Sequence, residues 1–222
     1  ITDCSFSGSV SGNIQVGGIV GCVGLHNNVE RCSNTAAVSG KELIGGIAGA
    51  NSYGNIRYCR NTGTVGNDKA EQVGGIVGAH QNYAELIASY NTGEVKGADY
   101  IGGIAGNVYV ASMPLGCYNV GSVSSGMHCG GAVGSFGGDD YITIKKGSFY
   151  QGPLSAAYQA NGAKMRSAED MKKESFVSEL NADAYVTCYT KDTQNKNNGY
   201  PILTWEVDGF QVTFDANGGN CD

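Results

Sequence analysis

The feature that most constrains this chain is a six-residue phrase, apolar-Gly-Gly-apolar-apolar-Gly, that returns at a nearly fixed interval. It reads Val16-Gly17-Gly18-Ile19-Val20-Gly21, Ile44-Gly45-Gly46-Ile47-Ala48-Gly49, Val73-Gly74-Gly75-Ile76-Val77-Gly78 and Ile101-Gly102-Gly103-Ile104-Ala105-Gly106. A weakened copy, Cys129-Gly130-Gly131-Ala132-Val133-Gly134, closes the series. The leading glycines stand at 17, 45, 74, 102 and 130, so the intervals are 28, 29, 28 and 28 residues. A fixed period in this range marks a repeat architecture whose units stack on one another.

A second phrase lies half a period away. It reads Cys32-Ser33-Asn34-Thr35-Ala36-Ala37-Val38, Cys59-Arg60-Asn61-Thr62-Gly63-Thr64-Val65, Ser89-Tyr90-Asn91-Thr92-Gly93-Glu94-Val95 and Cys117-Tyr118-Asn119-Val120-Gly121-Ser122-Val123, with a degenerate copy from Cys4 to Val10. An aliphatic residue precedes it by three in several copies: Val29, Ile56 and Leu86. Gly, Asn and Asp cluster between apolar positions and mark tight turns. One coil therefore reads as three short strands, and the predicted fold is an all-β parallel solenoid (β-helix) of five to six coils over residues 1–150. At 4.8 Å per strand spacing such a rod is roughly 25–30 Å long. A single coil cannot bury its own apolar residues, so the core exists only as a stack. The valines at 10, 38, 65, 95 and 123 are expected to point inward, with Ile19, Ile47, Ile76, Ile104 and Ala132. Strict alternation does not put Val16 and Ile19 on one face; a bend or bulge at the double glycine does. The column Asn34, Asn61, Asn91, Asn119 fits either an amide ladder along the rod or a set of independent turns.

The period ends near residue 150. Ser167 followed by Glu169 and Asp170 is a helix start signal, and Met171, Phe176, Val177 and Leu180 give an apolar face for a helix over about 168–180, stopped at Asn181. A strand pair around 185–189 and 202–205 follows. Residues 151–208 are expected to cap the last coil through Phe176 and Leu180, hiding its open edge. Residues 209–222 form a separate start.

Composition removes several function classes. The 36 glycines among 222 residues accompany periodic apolar residues, which excludes disorder and collagen. A net charge of −6 and 15% charged residues argue against nucleic acid as partner, because phosphate binding needs a basic face. No apolar run is long enough for membrane insertion. Of the eight cysteines, Cys4, Cys32, Cys59 and Cys117 share one repeat position that Ser89 fills in the fourth coil, and Cys129 replaces an aliphatic residue. That pattern favours reduced, buried thiols, with one or two bridges as the alternative. No spacing suits a metal, and no cofactor is expected.

Taken together, the double-glycine phrases resemble the GLUG motif, in Gly18-Ile19-Val20-Gly21 and its counterparts at 46–49, 75–78 and 103–106, and the C-x-N-T-G-x-V phrase is similar to that family's second half. The stretch 198–205 looks like the segment that often closes such repeats, and residues 212–219 are similar to the first strand of a Listeria–Bacteroides β-grasp repeat, truncated here. The resemblance implies a bacterial extracellular or cell-wall location and a non-catalytic module of a large surface protein, a stalk, display scaffold or adhesin segment with neighbouring domains of the same parent chain as partners. It also implies an accessory role in a surface enzyme such as an IgA-specific metallopeptidase. It carries no catalytic or ligand residue.

Candidate chemistry is sparse. His26, His80 and His128 fall in separate coils; His80 shares its position with Val23, Asn51, Val108 and Phe136 and reads as a variable surface site. His128 and Cys129 are neighbours on a strand and should diverge. The acids Asp139 and Asp140 sit in a glycine-rich loop, and Glu169 and Asp170 belong at a helix N-terminus. No catalytic residue is assigned. The candidate binding residues are Tyr53, Tyr83, Tyr109 and Tyr141, which follow the leading glycines of their coils by 8, 9, 7 and 11 residues. Along one edge they would suit a host glycan or host protein; folded back, they would cover the core. The structural repeat residues are Gly17, Gly18, Gly45, Gly46, Gly74, Gly75, Gly102, Gly103, Gly130 and Gly131.

Overall fold

The computed structural model describes residues 1–109, 112–124, 127–137, 148–150 and 163–207. The repeats wind into a parallel β-solenoid of about five turns. The second, third and fourth turns each hold five short strands rather than three. In the third coil these are Asn55–Arg57, Arg60–Asn61, Val65–Gly66, Glu71–Gly74 and Val77–Gln81. Of the two added breaks, one went unread in the sequence. Arg31, Tyr58 and Ala88 sit in left-handed backbone at φ of 51°, 56° and 46°, and each breaks the phrase before its Cys or Ser into two strands. Non-glycine residues seldom adopt this conformation, so nothing in their identity announces the corner. The second break lies at the double glycine.

Five sheets run along the rod, each pairing a strand with its counterpart one coil on. The register follows the phrases: Ile44 opposes Val73, Val73 opposes Ile101, and Ile101 opposes Cys129. At the double glycine the ladder bulges. Ile47 N and Ala48 N both donate to Ile76 O, at 2.9 and 3.0 Å, and the same doubling recurs between neighbouring coils. This bulge turns the two apolar residues of one phrase into different compartments. Ile47, Ile76 and Ile104 join Ile56, Leu86, Cys32, Cys59 and Cys117 in one core. Ile44, Val73 and Ile101 join Val38, Val65 and Val95 in another. The interior is thus two cores, and the inward valine and isoleucine columns belong to different ones.

Between them runs the asparagine column, and it is both ladder and turn. The side-chain amide of Asn34 donates to Asn61 Oδ1 at 2.7 Å, Asn61 to Asn91 at 2.7 Å, and Asn91 to Asn119 at 2.8 Å. Each also donates to the carbonyl two residues on, as Asn61 does to Gly63 O at 2.8 Å. All four asparagines are buried, and a buried amide is tolerated only when its bonds are made. The double glycine lets the far wall reach this ladder. A Cβ on Gly46 would lie 2.4 Å from the Asn61 side chain and 2.2 Å from Gly75 O, and one on Gly45 would lie 1.9 Å from Ala48 O.

The cysteine column explains its own serine. Cys32, Cys59 and Cys117 donate their thiols to the carbonyl two residues back, at 3.2, 3.2 and 3.5 Å, and Ser89 does so with its hydroxyl at 3.1 Å. The shared demand is a small donor that closes the left-handed corner. Cys32, Cys59, Cys117, Cys129 and Cys188 are buried, whereas Cys4, expected to be buried with its column, is exposed on the first coil, as is Cys22. The first coil has a neighbour on one side only among the described residues, so Cys4 lacks the second wall. Burial pushes the Cys117 and Cys188 thiols up to about 12. Under native, non-reducing conditions, alkylation followed by intact mass should modify Cys4 and Cys22 within minutes and leave Cys59, Cys117 and Cys188, whose thiols burial pushes up, protected at least about a hundredfold, because only thiolate reacts. Rapid modification of Cys59 or Cys117 would mean that the coils open locally.

The C-terminal segment departs most from expectation. Two further parallel strands, Ser148–Tyr150 and Ala163–Met165, continue one sheet beyond Cys117–Asn119, so strand pairing crosses residue 150. Ser167 caps a single turn of 3-10 helix, Asp170–Lys172, by accepting from Asp170 N at 3.0 Å. The chain becomes extended at Lys173, and the α-helix runs Glu174–Ala184, ending at a left-handed Tyr185. Asn181 lies within this helix instead of stopping it. Its side-chain oxygen accepts from Cys188 N and Tyr189 N at 2.9 and 2.8 Å and fixes the chain's return. A short antiparallel pair, Tyr189–Thr190 with Ile202–Leu203, follows. Phe176 and Leu180 do not lid the last coil. They pack with Ala88, Tyr90 and Tyr118, which project from the flank of the solenoid. The segment is a lateral clamp over coils three to five, because the outward face of that flank carries aromatic side chains that need cover.

Candidate functional site

Among the described residues, the loop edge carries three of the four candidate tyrosines. Tyr53 and Tyr83 are exposed at 49% and 73%, both in left-handed backbone with φ of 60°. His26 N donates to Tyr53 O at 3.3 Å, which places His26 on the same edge. Tyr109 is half-buried and lies against Gly137, where a Cβ would come 2.8 Å from its ring. It does not share a register position with the others: Ser52 opposes Gln81, one residue before Asn82 and two before Tyr83, while Tyr109 opposes Gly137. The edge therefore presents two exposed rings and one folded-back ring, not a column. Tyr141, Asp139, Asp140 and residues 212–219 lie outside the described residues.

The histidines divide three ways. His80 is fully buried rather than exposed, because its strand Val77–Gln81 holds it inward between Asn51 and Val108 of the adjacent coils. Neither ring nitrogen completes a hydrogen bond, and burial lowers its pKa to about 3. Two residues of its column are valines, Val108 opposite it and Val23 two coils away, and they were the signal that the position is interior. His128 Nδ1 lies 2.6 Å from Asp99 Oδ1 and its ring stacks on Tyr100 at 4.7 Å. The adjacent Cys129 faces the core at 1% exposure, so strand alternation separates imidazole and thiol as expected.

Sequence reasoning missed the richest polar cluster, at the seam between flank and clamp. Glu206, with its side chain 3% exposed, pairs with Arg60 at 2.8 Å. It also accepts from the Tyr90 hydroxyl at 2.9 Å and from Leu203 N at 2.9 Å. Burial raises its pKa, and the Arg60 guanidinium opposes that rise. Tyr90 and Tyr118 stack with centroids 5.0 Å apart. Asp192 accepts from Lys196 N, Asn197 N and Gly199 N at 2.7–3.0 Å, and these bonds hold its carboxyl below the usual range against burial. Asn197 then reaches the Tyr118 hydroxyl at 2.7 Å. Tyrosines at outward positions 90 and 118, where other coils carry serine and arginine, were the available hint that something covers this flank.

Beside this seam a groove of about 220 Å³ opens, lined by Arg31, Tyr58, Val186, Thr187, Cys188, Thr204 and Trp205. The Trp205 indole donates to Tyr58 O at 2.9 Å and lies under the Arg60 guanidinium at 5.8 Å. From Arg31, the one charged lining residue, charges alternate along the rod: Asp3 pairs with Arg31 at 2.7 Å, Glu30 with Arg57 at 3.6 Å, and Arg57 also with Glu85.

With the coil geometry in view, one comparison identifies the repeat. Residues 40–66 match the GLUG motif. The match begins before one double glycine, Gly45-Gly46, and ends at Val65-Gly66, so it covers almost one full turn, including the ladder residue Asn61 and the corner cysteine Cys59. No curated protein and no solved structure matches the chain. In structural terms the GLUG phrase is a bulge and a close approach: two glycines admit the neighbouring backbone, and the following apolar residues fill the core.

Proposed function

We propose that this GLUG-motif solenoid is a non-catalytic, extracellular repeat module of a large bacterial surface protein, serving as a stalk or display scaffold. The observation that carries the reading is the unbroken register of five sheets, in which side chains of matching type stack coil on coil. That interior is used for rigidity, and the loops are free to vary. A role as accessory region of a surface enzyme, such as an IgA-specific metallopeptidase, is compatible with the same rod and differs only in the domains beside it. A glycan-binding edge is the second reading, favoured by the exposure of Tyr53 and Tyr83. Antibody raised against the folded module should label intact source cells as strongly as permeabilised ones. Labelling confined to permeabilised cells would overturn the surface assignment.

A further inference from the structure

We propose that the groove between the solenoid flank and the clamp is a binding site for one neutral pyranose unit. It lies away from the loop-edge tyrosines, and it does not depend on the scaffold reading. Its walls come from separate parts of the chain. Tyr58 and Arg31 belong to coil corners in left-handed backbone, and Val186, Thr187, Thr204 and Trp205 belong to the clamp. Both sides are anchored where they meet: the indole by the Tyr58 carbonyl, and the following residue, Glu206, by Arg60 and Tyr90. The site is therefore preorganised, which limits the ordering cost of binding.

The chemistry suits a sugar ring. A pyranose presents an apolar face of C–H groups and a rim of hydroxyls. Half-buried Tyr58 and Trp205 supply aromatic surface for the face, with Val186 beside them. Three hydroxyls, of Tyr58, Thr187 and Thr204, line the groove with no hydrogen bond among the described residues. Arg31 uses Nε and one terminal nitrogen on Asp3, which leaves its other terminal nitrogen only a loose 3.9 Å approach to Glu30. A few convergent polar groups around an apolar floor are the usual make-up of a small-ligand site. About 220 Å³ accommodates one ring and not a chain of them. The surroundings of Arg31 argue for a neutral sugar: Asp3 already pairs with it and Glu30 approaches it, so the local balance does not favour an added carboxylate.

Trp205 is the single tryptophan of the chain, which makes the groove directly observable. The full chain would be titrated with glucose, galactose, N-acetylglucosamine, mannose and glucuronate while indole fluorescence is followed. At least one neutral sugar should give a saturable change. Tyr58→Asn keeps a residue that tolerates left-handed backbone, and Thr187→Val alters an exposed side chain; each should weaken that binding about tenfold or more, Thr187→Val with the melting temperature unchanged and Tyr58→Asn with a cooperative unfolding transition retained. Absence of a saturable change with every neutral sugar, binding of glucuronate alone, or equal binding by both variants would overturn the proposal.

Discussion

Acidification should unfold this protein through His80. The imidazole is buried between Asn51 and Val108, and the Ala84 backbone approaches it without completing a hydrogen bond. Glu85, the acid on the facing wall, is exposed and turned to Arg57; only its carbonyl faces inward, accepting from the Asn51 amide at 3.2 Å. Nothing there compensates a charged ring, so its folded pKa falls from 6.5 to about 3. The unfolded chain binds this proton throughout the interval between those values. Stability from this group is therefore complete above about pH 6.5 and is lost at about 1.4 kcal/mol per pH unit on the way down to about pH 3. Urea unfolding at pH 7.5 and pH 4.5 should differ by about 3 kcal/mol more in the native protein than in His80→Val, whose new side chain is the one Val23 and Val108 already carry in that column. Equal acid sensitivity in the two proteins would mean that the ring reaches solvent.

A single methyl group at a double glycine should be at least as costly. A Cβ on Gly75 would stand 2.1 Å from Gly103 O and 2.5 Å from the Asn91 side chain. The first obstacle is backbone of the next coil and cannot rotate away. Gly75→Ala should destabilise the solenoid by about 3 kcal/mol or more, at the upper end of overpacking costs. Removing the second obstacle separates the two contacts: Asn91→Ala in the same chain should not restore stability, because Gly103 O remains and the ladder is cut. Gly24→Ala is the matched control, since its Cβ would meet nothing nearer than 3.7 Å, and it should shift stability by less than about 0.5 kcal/mol. Chemical denaturation of the four proteins gives the comparison. A mild Gly75→Ala would show that adjacent coils can slide apart.

How far the sequence is readable follows from how locally each feature is encoded. The period and the register were legible because identical residues oppose one another, as Gly45 and Gly74 do. The bulge at the double glycine was legible because Val16 and Ile19 could not otherwise both be interior. The corners at Arg31, Tyr58 and Ala88 were not, because left-handed backbone is imposed there by the closing coil and the Cys or Ser that follows, not by the residue itself. His80 was misjudged because one imidazole in a column of otherwise unlike residues resembles surface variation, although the column also holds Val23 and Val108. The clamp was misplaced because an apolar helix face states only that it needs a partner. The partner was set by Tyr90 and Tyr118, more than fifty residues earlier, and no local pattern links them to Phe176 or Leu180.

The clamp has a mechanical consequence. A tensile load arriving from beyond Val207 does not meet the last coil first. It meets Glu206 and Trp205, which are fastened to Arg60, Tyr90 and the Tyr58 carbonyl in the third and fourth coils. Pulling there shears a seam across several coils at once, whereas a terminal strand would be peeled one hydrogen bond at a time. The fifth coil, where Ala132 replaces the isoleucine of its neighbours, joins the same seam through the Tyr118 hydroxyl, which meets Asn197 and the Pro201 carbonyl. Any stretch transmitted along the chain is thereby shared across three coils at once, and the weakest turn does not carry it alone.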